Sequence, residues 1–68
     1  MVSGMKIISQ LEINDFTTII EVSQSKDFGN YAVIENKEYP TEIVYDLPNH
    51  IGIKAHGDFV GKDVTFHN

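Results

Sequence analysis

Strand-length runs of β-branched and aromatic residues, separated by short turn signals, follow one another along nearly the whole of this chain. The run "KIISQLEI" (6–13) alternates apolar and polar residues, and "FTTIIEV" (16–22) follows it after only Asn14-Asp15. Period-two alternation assigns one set of side chains to each face of a sheet, and a polar pair between two such runs reads as a hairpin. In the first run Ile7, Leu11 and Ile13 share one face, which is expected to be the core face. Lys6, Gln10 and Glu12 share the other.

The same logic extends to the C-terminus. "SQSKDFGN" (23–30) is polar and reads as the main loop. "YAVIENKEYPTEIVYDL" (31–47) reads as a second hairpin with Asn36-Lys37 at its tip. Its return strand aligns Tyr39, Thr41, Ile43, Tyr45 and Leu47 against Glu38, Glu42 and Asp46. Pro40 cannot donate to a ladder, so that strand has a free side there or contains a bulge. Leu47-Pro48-Asn49 is a turn, because Pro presets φ and Asn tolerates the left-handed region. "HIGIKAH" (50–56) then points Ile51, Ile53 and Ala55 inward, and "VTFH" (64–67) closes the chain with Val64 and Phe66.

No stretch reads as a helix. The expected fold is all-β, a small antiparallel barrel of about five to six short strands, SH3-like or OB-like, because a flat sheet of this size could not cover its own core. The alternative is an α+β arrangement with one short helical turn near 23–30. At 68 residues the chain forms one domain, spanning 5–68, and Met1 to Gly4 read as an N-terminal extension or cloning remnant. Such a domain buries only about 60% of its unfolded surface. Disulfides cannot make up the shortfall, since the chain has no cysteine. That absence fits a cytoplasmic protein. No apolar run approaches the roughly 20 residues needed to span a bilayer, and no signal peptide is apparent.

Charge narrows the partners. Ten carboxylates face five lysines with no arginine, for a formal net charge of −5. Nucleic acids and anionic membranes are poor partners for that balance; a basic protein surface suits it better. Abundant Ile, Lys and Asn without Arg suggests an AT-rich bacterial or phage genome.

The chemistry-bearing residues do not assemble into a motif. His50 and His56 share a strand face, but six residues at about 3.3 Å rise put them about 20 Å apart, too far to share a metal. His67, next to last, is expected to fray. Gly61-Lys62 lacks both the preceding glycine and the following hydroxyl of a phosphate loop, and Asp63 would repel phosphate. Ser23 and Lys26 have the spacing of a serine nucleophile and lysine base without the surrounding motifs. The carboxylate pairs Glu38/Glu42 and Asp58/Asp63 carry no sign of burial. No enzyme activity, cofactor or metal is expected.

One surface stands out. Ile8, Ile19 and Val44 fall on the outward face beside Glu12, Glu21, Glu42 and Asp46, an apolar centre with an acidic rim of the kind found at protein interfaces. Tyr31, beside the main loop, is a further contact candidate, while all three tyrosines are expected to be core or half-buried. The reading is a small acidic protein–protein interaction module or accessory factor that binds another protein or itself as a homodimer. One alternative is a single-stranded nucleic-acid-binding barrel, stacking bases on Phe28, Tyr31 or Tyr45 with Lys26, Lys37 and Lys54 on phosphates. Another is an acidic decoy occupying the basic groove of a DNA-binding protein.

Overall fold

The computed structural model describes residues 5–24 and 27–68. Six antiparallel strands, β1 (Met5–Glu12), β2 (Thr18–Val22), β3 (Tyr31–Ile34), β4 (Lys37–Glu42), β5 (His50–Ile53) and β6 (Asp63–His67), close into a barrel. Their order around the ring is β1-β2-β5-β4-β3-β6. The all-β barrel expected from the alternation is thus the fold. The α+β alternative fails, since no helix occurs among the described residues, those of 23–30 included. None is therefore long and apolar enough to cross a membrane. Ser25, Lys26 and Met1 to Gly4 lie outside the described residues, and with them the expectations for Lys26 and the N-terminal extension.

The ring is assembled from two hairpins, β1-β2 and β3-β4, which do not pair with each other directly. β5 enters between β2 and β4, and β6 enters between β3 and β1. Closure therefore depends on the last third of the chain, and each of the six strands has a hydrogen-bonded neighbour on both sides, the β1-β6 pairing being the shortest together with β4-β5. Inside lie Met5, Ile7, Ile20, Val22, Ala32, Ile34, Ile51, Ile53, Phe59 and Val64, with Phe28, Tyr39, Ala55 and Phe66 packed around them. Each large aliphatic so buried contributes about 1.5–3 kcal/mol. Phe59, set between two glycine turns, plugs the barrel edge-on to Tyr39 at a ring separation of 5.8 Å. Sequence reasoning assigned it no role.

The turns follow local chemistry. Asn14 Oδ1 accepts the amides of Phe16 (2.7 Å) and Thr17 (2.9 Å), an Asx turn that reverses β1 into β2. The β3-β4 tip is Glu35-Asn36, one residue earlier than expected, with φ of 53° and 66°. Two consecutive left-handed residues make the type I′ turn whose twist matches a two-residue hairpin. Gly29, at φ 58°, packs against the His67 carbonyl, where any Cβ would collide. His67 itself does not fray. It pairs with Tyr31 across the β3-β6 ladder and stacks on its ring at 5.3 Å.

The main departure from simple alternation is a bulge in β1. Ile7 pairs with Val22 and Gln10 with Ile20, so β1 uses three steps where β2 uses two. The extra residue, between Ile7 and Ser9, reverses every later side chain. Gln10, expected in solvent, turns inward, while Leu11, expected in the core, is 61% exposed. Gln10 then closes the seam that β1 and β6 leave after pairing over only two residues. Its Nε2 donates to Gly57 O at 2.7 Å, and its Oε1 accepts the Phe59 amide at 2.6 Å. The side-chain amide thereby stands in for a missing backbone pair.

The second departure is in β4, which ends at Glu42 and does not continue to Leu47. Pro40 sits at the end of the short β4-β5 ladder, where only its carbonyl is used, accepting the Lys54 amide at 2.9 Å. After Glu42 the chain leaves the ring and crosses the outside of β5 above Gly52. A Cβ on Gly52 would lie 2.8 Å from Glu42 O and 2.9 Å from Val44 Cγ2, so only glycine lets this strap lie flat.

Candidate docking groove

The strap, residues 43–49, creates the most distinctive surface of the molecule. On the outside of the barrel Leu11, Ile19 and Gly52 stand in a row across β1, β2 and β5. Ile19 does point away from the core, as its alternation with Ile20 requires, and it is absent from the core cluster. Yet it is only 6% exposed. It forms the floor of a cavity of ≈250 Å³ walled by Leu11, Tyr45 and Leu47, with Ser9, Gln10 and His50 at its margin. Tyr45 and Leu47 are 56% and 51% exposed, so the walls are largely bare apolar surface. The expectation that Tyr45 would be core or half-buried is therefore overturned, because the chain carrying it has left the sheet. Tyr31 and Tyr39 are half-buried as expected.

The other members of the expected patch are distributed differently. Ile8 is exposed at the bulge, and Leu11, not Ile8, is the residue opposite Ile19. Val44 is half-buried over Gly52. Glu21 accepts the Ser9 hydroxyl at 2.7 Å and lies 3.9 Å from His50 Nε2. Glu12 meets His56 Nε2 at 3.0 Å, and Glu42 meets Lys54 at 2.7 Å. Tyr31 lies on the β3-β6 side, stacked on His67. The bulge was the feature sequence reasoning missed. Its trace is "IISQL", where either Ile8 or Leu11 must face out whichever parity is chosen.

A second hollow, ≈550 Å³ and wider, adjoins the first and shares Gln10 and Leu11 with it. Glu12, Asp58 and the 56% exposed Val60 complete its lining. Leu11 is thus a ridge between a narrow apolar slot and a broader acidic one. Among the described residues, no lysine lines either hollow.

The remaining chemistry stays dispersed. His50 and His56 engage different carboxylates, and no group of three metal-ligating side chains converges among the described residues. Gly61-Lys62 completes a tight turn in which the Lys62 amide bonds Phe59 O at 3.1 Å and its Nζ reaches Glu35 at 2.9 Å. Glu38, Glu42, Asp58 and Asp63 are all exposed, with Asp63 held by Lys6 at 3.1 Å. Ser23 Oγ accepts the Lys6 amide at 3.2 Å. A third hollow, ≈510 Å³, lies between the 27–30 loop and Thr41, Ile43 and Ile51. The Thr41 hydroxyl there is already bonded to Gly29 O at 2.8 Å.

Comparison of the chain with family models, with curated proteins and with solved structures gives no match in any of the three.

Proposed function

We propose that this protein is a non-enzymatic interaction module that binds another protein through the groove between β1-β2 and the strap. The observation that carries the reading is the position of Leu11, Tyr45 and Leu47. Three large apolar side chains, each more than half exposed, converge around a preformed slot with a buried isoleucine floor. Convergent apolar anchors around a pocket, rimmed by polar groups, are the usual centre of a protein interface. Catalysis finds little support: the carboxylate pairs Glu38/Glu42 and Asp58/Asp63 are exposed, and His50, His56 and Ser23 are engaged with separate neighbours.

The test is affinity capture from a bacterial lysate with and without nuclease, comparing the wild type with Leu47→Ser and with Ile43→Ser as an off-groove control. A discrete protein retained by wild type and Ile43→Ser after nuclease, and lost with Leu47→Ser, supports the reading. Retention by Leu47→Ser overturns it. Recovery of nuclease-sensitive material alone would favour the stacking barrel. Release of the partner by salt alone, independent of Leu47, would favour the acidic decoy.

A further inference from the structure

Resting on that reading, we infer that the groove's occupant is a basic, amphipathic segment of a partner protein. It would place an aliphatic or aromatic side chain in the narrow slot and a lysine or arginine in the wider hollow beside it. The two hollows share Leu11, so side chains of one short segment can straddle that ridge. The narrow slot offers Ile19, Leu11, Tyr45 and Leu47, a surface suited to an apolar anchor. The wider hollow offers Val60 and Leu11 to the methylene stem of a long cation, and Glu12 and Asp58 to its head.

Charge selects among occupants. Asp46 lies between Tyr45 and Leu47 in the strap, Glu21 adjoins Ser9 and His50 at the slot margin, and Glu12 and Asp58 line the wide side. Among the described residues, no ion pair reaches Asp46 or Asp58. Glu12 is met by His56, which a stronger cation would displace. A second copy of this chain docked face to face would bring these carboxylates together and repel. A nucleic acid would meet the same carboxylates with its phosphates. A partner bearing lysine or arginine beside its apolar anchor is the occupant this field attracts.

The experiment pans a random short-peptide library on the wild-type protein and measures the enriched peptides by fluorescence anisotropy. The expected peptides combine Leu, Ile, Met or Phe with neighbouring Lys or Arg. Binding should fall about tenfold or more with Leu11→Ser. It should fall several-fold with Asp58→Asn and weaken several-fold between about 50 and about 500 mM NaCl. Ile43→Ser should leave it unchanged, and circular dichroism should show each variant folded. Enriched peptides that are neutral or acidic but still sensitive to Leu11 would overturn this inference and leave the interaction-module reading standing. No enrichment would overturn the inference too, with the lysate capture judging the broader reading separately. Insensitivity to Leu11 and Leu47 would remove both. A dimer that forms with rising concentration and is lost in Leu11→Ser would install a second copy in the groove instead.

Discussion

Replacing Gln10 should disable the barrel seam, and the size of the effect can be worked out from its two hydrogen bonds. Gln10 donates to Gly57 O at 2.7 Å and accepts from Phe59 N at 2.6 Å, in a part-buried setting. A typical intramolecular hydrogen bond contributes about 0.5–1.5 kcal/mol net, and a buried partner left unsatisfied costs about 1–3 kcal/mol. Gln10→Met keeps the length of the side chain and removes both bonds, so a loss of about 2–3 kcal/mol is expected. A chain of this size has only about 3–10 kcal/mol of total stability, so the loss should be conspicuous. Urea unfolding followed by circular dichroism would show a lower midpoint with an unchanged slope. Gln10→Glu adds a signed test. It keeps the acceptor for Phe59 but turns a carboxylate toward the Gly57 carbonyl, which favours the protonated form and raises the folded-state pKa above the unfolded value of about 4.3. The folded state then binds more protons in the window above about pH 4.3, so the deficit against wild type should grow as pH rises through that window and shrink as pH falls. A Gln10→Met variant within about 0.5 kcal/mol of wild type would refute the claim that this side chain closes the ring.

Two further perturbations address the strap and the hairpin tip. Gly52→Ala should destabilise by about 1–3 kcal/mol, because its Cβ would press on Glu42 O and Val44 and lift the strap. Urea unfolding gives the magnitude, and faster hydrogen exchange at the His50 amide, bonded to Leu47 O at 3.3 Å, locates the damage in the strap. Asn36→Gly should stabilise by a few tenths to about 1 kcal/mol, since position 36 already sits at φ 66° in a type I′ turn that favours glycine there. A raised unfolding midpoint would check it.

The fate of Ile19 shows why an outward position and an exposed one are different things. Parity correctly directed Ile19 away from the barrel core, and on that basis Ile19→Lys would disrupt an interface without unfolding the monomer. In the folded chain the strap covers Ile19, so a lysine there would lose burial and displace Leu47 and Tyr45. Substitutions at the exposed walls, Leu11 and Leu47, isolate binding from folding far better. His67 carries a similar lesson. Nearness to the C-terminus suggested fraying, but the aromatic face of Tyr31 and a ladder position in β6 hold it.

By itself the sequence determined the class of fold and most of its punctuation. Period-two alternation, β-branched density and the turn chemistry at Asn14-Asp15, Pro48-Asn49 and Gly61 are local properties, legible wherever backbone preference and side-chain parity agree. The inward set of β5, Ile51 and Ile53, followed directly from parity because that strand is regular. Only the tertiary structure decided the order of strands around the ring, the burial of Phe59 and the end of β4 at Glu42. It also decided the bulge that exchanged Gln10 and Leu11, because a bulge depends on how β1 must curve to meet both β2 and β6. One residue of slippage there brought an amide inside to close the barrel and left a leucine outside as the ridge of the groove. Period-two parity cannot anticipate this, since a single inserted residue reverses every side chain after it.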